Sequence, residues 1–327
     1  MQNTGNLNDK IQKYFDENPI KGEPSELYDP INYILSLGGK RARPLMLLMS
    51  YSLFKDDLEE AFPLAQAIEV FHNFTLIHDD IMDDAPLRRG KETVHEKWDD
   101  NIAILSGDAM LISAYKLFEN LPAGMLKSVF PVFNKVAIEV CEGQQYDMNF
   151  ETRSDVTIAE YINMITLKTS VLLGGAMKIG ALAGNSSKED AQLLYNFGEQ
   201  LGVSFQLQDD YLDLYGDPKK FGKRIGGDVV ANKKTFLTLK AFGKAKGDDL
   251  EQLNSLFAKT NLTETEEEEK INTVRNIFDK LGVVEDMKTE IDNYYKLALA
   301  SLEKVKVEED KKSALKVFAE KLIQRDV

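Results

Sequence analysis

The chain has 327 residues, 43% of them apolar and 29% charged, which excludes a largely disordered chain, a fibrous repeat and a disulfide-stapled miniprotein. Its 40 basic and 54 acidic residues leave a formal charge of −14, so no nucleic-acid partner is expected and any bound anion must meet a local basic pocket. The single cysteine (Cys141) cannot close an internal disulfide, the amino end 1–21 lacks an apolar signal core, and apolar patches such as 45–49 are too short to cross a bilayer, so a cytosolic protein without a membrane span is expected.

The first punctuation is Gly38-Gly39, followed by Lys40, Arg41 and Arg43 and then by Pro44, which suits the first turn of a helix carrying 45–49. Backbone amides at that start, with Lys40 and Arg43, can cradle an anion such as diphosphate, although Gly-Gly before a helix is commonly just a turn. The spacing is not that of a Walker loop. Leu64, Ile68, Phe71, Phe74, Leu76 and Ile77 recur at helical spacing, and His72 lies on the same run. At its end stands Asp79-Asp80-Ile81-Met82-Asp83-Asp84. Residues four apart on a helix differ by about 40° in direction, so Asp79 and Asp83 share a face. Unpaired carboxylates that close repel one another and resist desolvation unless cations join them. Alone, the cluster reads more readily as a solvated helix end. Beyond the turn Ala85-Pro86 comes Arg88-Arg89-Gly90, where the two arginines either serve two anions or neutralise the aspartates.

Lys168-Thr169 precedes Gly174-Gly175, read here as a helix breaker. Ser186-Ser187-Lys188-Glu189 opens a helix whose apolar stretch 201–207 runs into Asp209-Asp210-Tyr211-Leu212-Asp213, repeating the acidic pattern at i, i+1 and i+4. Two such clusters on apolar helices are a stronger signal than one, since facing helices can clamp metal between them. Carboxylates without a nearby cysteine or histidine pair favour Mg²⁺ over zinc, and Mg²⁺ shares its coordination readily with phosphates. The basic segments 222–228 and 232–234 follow. Thr263-Glu264-Thr265-Glu266 is a capping box for a helix carrying Ile271, Val274, Ile277, Phe278 and Leu281, and Gly282 marks its stop. No alternating run supports a sheet and no linker divides the chain, so a single all-α domain over 1–327 is expected.

From about Gly38 to Lys234 the chain resembles the trans-isoprenyl diphosphate synthases, the polyprenyl synthetase family. Asp79–Asp83 with Arg88-Arg89-Gly90 looks like the family's first aspartate-rich motif and arginine pair, and Gln206-Leu207-Gln208-Asp209-Asp210-Tyr211-Leu212-Asp213 looks like its second. The resemblance implies one large helical bundle around a deep central cavity (an isoprenoid synthase-like fold), a homodimer, and condensation of isopentenyl diphosphate with dimethylallyl, geranyl or farnesyl diphosphate. It implies three Mg²⁺ ions, two bound by Asp79 and Asp83 and the third by Asp209, with Asp80 and Asp213 acting through water or from behind the ligands. Arg88, Lys168, Lys223 and Lys233 would hold the allylic diphosphate, with Arg224 an alternative to Lys223. Lys40, Arg43, His72 and Arg89 would hold isopentenyl diphosphate, and Thr169 and Gln206 would face the developing cation.

Phe74, with the smaller Thr75 beside it, matches the position at which an aromatic side chain stops the growing product in short-chain members, while Gly202 is expected to leave room on the opposite wall. The implied product is farnesyl or geranylgeranyl diphosphate. A straight helix puts Phe74 about 140° from Asp79, so this role rests on the resemblance, and Phe74 also reads as plain core. Other readings are an all-α histidine–aspartate phosphohydrolase, a cyclising terpene synthase and a non-catalytic partner of a prenyl synthase. The first has the dipeptide His78-Asp79 but needs more histidines than His72, His78 and His95 to hold a metal.

Overall fold

A computed structural model describes residues 4–217 and 225–323; Lys223 and Arg224 lie outside them. The all-α expectation holds. In chain order the elements are α1 (Thr4–Glu17), α2 (Ser25–Ser36), α3 (Ala42–Ser52), a 3₁₀ turn (Glu59–Ala61), α4 (Phe62–Met82), β1 (Leu87–Arg88) and β2 (Lys91–Glu92). There follow α5 (Val94–Lys97), α6 (Asp100–Lys116), α7 (Ala123–Thr152), α8 (Ile158–Ile165), a π-helical turn (Thr166–Ser170), α9 (Val171–Ala183) and α10 (Lys188–Tyr215). The last are α11 (Gly227–Val230), α12 (Phe236–Lys244), α13 (Asp248–Phe257), α14 (Glu264–Leu281), α15 (Val283–Glu303) and α16 (Glu309–Ile323). The sheet that sequence periodicity did not predict is a hairpin of two-residue strands, Leu87 paired with Glu92 and Arg88 with Lys91. Strands that short leave no alternation to read.

The chain divides into two compact units. The first runs from the amino end to Ala137 and includes Leu172–Asn196 and Leu302–Phe318. At its centre, α3 buries 45–49 and α4 buries Leu64, Ala67, Ile68, Phe71, Phe74 and Ile77. Each large apolar side chain so enclosed contributes about 1.5–3 kcal/mol. Phe71 meets Phe74 and Phe133 with ring centroids 5.5 Å apart in each case, and Phe118 lies 4.8 Å from Phe133. These tilted and edge-on contacts fix α4 against its neighbours. Gly174-Gly175 does not break a helix: α9 continues through both, because a Cβ there would come within 2.9 Å of Tyr195 O and 2.8 Å of a Val136 methyl. The pair permits close packing.

The second unit comprises Ile138–Val171, Phe197–Ser301 and the carboxyl end from Ala319. Its core gathers Tyr161, Ile165, Leu207, Leu212, Phe236 and Phe278, among others. Thr263 and Glu266 form the expected capping box, and Gly282 ends α14 in the left-handed region at φ 64°. Gly202 does not leave room beside α10. A Cβ there would stand 2.8 Å from Cα and Cβ of Ser170, so glycine is what lets α10 meet the π-helical turn. The expectation of apolar patches too short for a bilayer also changes. The continuous helical stretch Ile158–Ala183 is long and apolar enough, with a mean hydropathy of 1.3 over its most apolar 18 residues, but 67% of that segment is buried within the protein, as in a core helix.

Candidate active site

The basic residues of the first unit gather where α3 begins. Gly38 and Gly39 have φ of 76° and 124°, values that side chains rarely tolerate, and Arg41 follows at 46°. This bend leaves Gly38 O exposed to the Arg89 guanidinium, which donates to it, and a Cβ on Gly39 would come within 2.7 Å of that guanidinium. Arg43 Nη1 donates to His72 Nε2 at 3.0 Å. Burial, and then the charges of Arg43, Arg89, Arg88 and Arg41, hold His72 well below its ordinary 6.5, so the imidazole is neutral at pH 7. Arg43, His72 and Arg89, three of the residues expected to hold one diphosphate, are thus assembled within one unit. Arg41 has another task. Nearly enclosed, it donates to Glu69 Oε1 at 2.6 Å and to Leu35 O, anchoring the loop to α4. Glu69 gave no sequence signal, since its partner lies 28 residues away.

Asp79 and Asp80 close α4, and Asp83 caps it with its N–H donating to Asp79 O at 2.9 Å. Asp80 is only 2% exposed. The hairpin turn at Arg89-Gly90 (φ 55° and 74°) sends the two arginines apart: Arg89 goes to Gly38, and Arg88 clamps Asp80 through Nε at 2.8 Å and Nη2 at 2.6 Å. Arg88 Nη2 also stands 3.8 Å from Asp79 Oδ2. Burial raises the Asp80 carboxyl, and the Arg88 bonds oppose that shift, so the pair is held as an ion pair. For Arg88, neutralisation of the acidic cluster is therefore a structural fact. Phe74 is 8% exposed and lies edge-on to His78 at 4.9 Å. The Thr75 hydroxyl donates to His72 O at 2.8 Å.

In the second unit the acidic cluster lies on α10 near its carboxyl end. Asp210 is 8% exposed; Tyr161 OH donates to its Oδ2, and Gln206 Nε2 donates to Oδ1 at 3.0 Å. Burial, then Asp228, raises the Asp210 carboxyl well above its ordinary range. Thr169 Oγ1 donates to Gln206 Oε1 at 3.2 Å, giving a chain Thr169–Gln206–Asp210–Tyr161. Asp213 accepts from Asp228 N at 3.0 Å and so positions α11. Lys233 Nζ stands 3.9 Å from Asp228. Lys168, raised on the π-helical turn, donates to Asp147 at 2.6 Å. Such turns recur at functional sites because they lift one residue out of the helical register. Asp147, Tyr161 and Asp228 were absent from the expected site; only Asp228, next to a glycine pair in a basic segment, carried a local signal.

A family model described as polyprenyl synthetase matches residues 24–277. The chain is 37% identical over 270 residues to a short chain isoprenyl diphosphate synthase of Methanocaldococcus jannaschii, covering 82% of this chain and 80% of that one. It is 36% identical over 325 residues to a geranylgeranyl diphosphate synthase of Sulfolobus acidocaldarius, covering 98% and 95%. A crystal structure of a geranylgeranyl pyrophosphate synthase superposes with a TM-score of 0.96 at 46% identity, covering both chains fully. With these matches and the fold they share, the chain belongs to the polyprenyl synthetase family and is a prenyltransferase that elongates trans-prenyl chains.

Proposed function

We propose that the enzyme joins isopentenyl diphosphate head to tail (1'-4) with an allylic diphosphate (dimethylallyl, geranyl or farnesyl), giving a short all-trans prenyl diphosphate and diphosphate. The observation that carries this is the gathering of Arg43, neutral His72 and Arg89 at the glycine bend before α3, a ready anion cradle on a chain of net charge −14. Lys40, next to Arg41 on the same bend, would join that cradle for isopentenyl diphosphate. Arg88, Lys168 and Lys233, with Lys223 or Arg224 from the segment outside the described residues, would bind the allylic diphosphate. That reading requires Arg88 and Lys168 to share themselves with Asp80 and Asp147; the Asp80 clamp uses Nε and Nη2 of Arg88.

The donor set fits Mg²⁺. Asp79, Asp83 and Asp209 offer carboxylate oxygens, and the neighbouring carboxyls of Asp210 and Asp228 oppose each other's charge unless a cation joins them. Asp79 and Asp83 would hold two of three ions and Asp209 the third. Asp80 and Asp213, already committed to Arg88 and to α11, would act from behind these ligands. Bound Mg²⁺ supplies positive charge that draws electrons toward the departing diphosphate. The protein's own part is preorganisation: arginines and lysines fix both diphosphates, and Thr169 and Gln206 present oxygens toward the allylic cation. Exclusion of water from the cation would complete that environment. Phe74, with Thr75, would be the floor against which the product stops, at farnesyl or geranylgeranyl length; the relatives' names favour the latter.

The family match runs through both units, which supports one polyprenyl synthetase domain over 1–327. A cytosolic homodimer completes the proposal. It is supported by Ile104, Leu105 and Ile112 on α6, which are 43–60% exposed, an unusual row of large apolar side chains for a solvated face. Incubation with labelled isopentenyl diphosphate, each primer and Mg²⁺, followed by product sizing, tests the function. Elongation stopping at farnesyl or geranylgeranyl length is expected. Phosphate release without elongation, a cyclic hydrocarbon or no product would overturn it.

A further inference from the structure

The prenyl-transfer reading gives no task to His78 or His95, and of the two only His95 lacks a hydrogen-bond partner. His72 bonds to Arg43, and His78 Nε2 lies 3.3 Å from Ile104 O. His95, on α5, is 9% exposed, and neither ring nitrogen has a hydrogen-bond partner. A buried polar group left so is costly, and its usual explanation is a water or an ion. Its surroundings favour an ion. One ligand atom each from Asp84, His95 and Glu96 lie within 4.8 Å of one another, and the His95 Nε2 to Glu96 Oε1 separation is 3.9 Å. That separation is too long for a hydrogen bond but close to the spacing of two ligands on one ion. Ligands about 2.0–2.2 Å from a tetrahedral ion sit roughly 3.4 Å apart. Asp84 and Glu96 are exposed and free to close that small gap, whereas buried His95 is held by the fold.

We propose that Asp84, His95 and Glu96 form a site for a borderline divalent ion such as Zn²⁺, Mn²⁺ or Co²⁺, separate from the carboxylate sites for Mg²⁺. One imidazole with two carboxylates selects such ions over Mg²⁺, which prefers oxygen alone. Asp84 follows the cap of α4 and the other two ligands lie on α5, so the ion ties the two ends of the loop that carries Arg88 and Arg89. It acts as a clasp on the hairpin and takes no part in the diphosphate chemistry, so the inference stands whatever the product.

Trp98, the chain's one tryptophan, directly follows α5 and serves as the reporter. The full-length protein in millimolar Mg²⁺ is titrated with Co²⁺, and tryptophan quenching is followed together with visible Co²⁺ absorption. One Co²⁺ per chain is expected, with affinity lowered about tenfold or more in Asp84→Asn, Glu96→Gln and His95→Gln, and unchanged in Asp79→Asn. The two exposed ligands decide the matter if His95→Gln does not fold. The site is overturned if Asp84→Asn and Glu96→Gln bind Co²⁺ as the unaltered chain does, if Asp79→Asn abolishes the signal, or if millimolar Co²⁺ gives none.

Discussion

The two acidic clusters carry the same sequence pattern, yet their central carboxylates live in opposite surroundings. Asp80 is clamped by a guanidinium, so the first unit buries a neutralised ion pair. Asp210 is held by a phenol and an amide, with Asp228 adding to its negative surroundings, so the second unit buries a carboxylate that no cation in its immediate bonds answers. A repeated motif thus fixes where the carboxylates stand but not their charge balance. That balance is set by partners outside the motif, Arg88 eight residues after Asp80 and Tyr161 49 residues before Asp210.

The sharpest way to break this comparison is to replace each carboxylate by its amide. Asp80→Asn leaves the partly buried Arg88 with only the more distant Asp79 as counter-charge and should cost about 3 kcal/mol. Asp210→Asn loses at most one hydrogen bond and relieves repulsion from Asp228, so about 1 kcal/mol is expected. Equal losses in urea unfolding would erase the distinction. The clusters should converge again in catalysis: Asp79→Asn and Asp209→Asn are each expected to lower kcat about 10²–10³-fold with folding intact. A variant with near-normal turnover would remove that aspartate from the reaction.

Positions just upstream of each cluster sharpen the contrast further. Gly202→Ala should destabilise by about 1–3 kcal/mol, because the new methyl meets the Ser170 backbone, and should leave product length alone. Phe74→Ala should lengthen the product in mass-spectrometric sizing; an unchanged length would return Phe74 to the status of core. The smallest effect is in pH. All three histidines lie in the first unit. His72 is held well below 6.5 when folded, so the unfolded chain binds a proton that the folded chain refuses. Stability should therefore fall as pH drops below 6.5, by up to about 1.4 kcal/mol per pH unit, and His72→Gln should remove that share of the slope. The same slope in both proteins would show that His72 is not the group responsible.

What could be read from the sequence followed local physics. Asp79 and Asp83, Asp209 and Asp213, the capping box at Thr263 and the stop at Gly282 all depend on spacings of a few residues, which a helix makes explicit. The pairings Arg41–Glu69, Lys168–Asp147 and Tyr161–Asp210 join residues 28, 21 and 49 positions apart and left no pattern to find. Glycine misled for a related reason. Gly174, Gly175 and Gly202 looked like breaks or empty space, but their missing side chains are filled by Tyr195, Val136 and Ser170, which only the tertiary arrangement reveals.

Gln206 shows how far such a partner reaches. Asp210, already engaged by Tyr161, accepts from the amide nitrogen of Gln206, and Thr169 donates to the amide oxygen. The glutamine is therefore polarised in one sense, because turning it over would set its amide oxygen against the Asp210 carboxyl oxygen that now accepts from its nitrogen. Whatever electron-poor group comes near Thr169 is offered lone pairs rather than N–H bonds, a polarity decided by a tyrosine that never has to touch it.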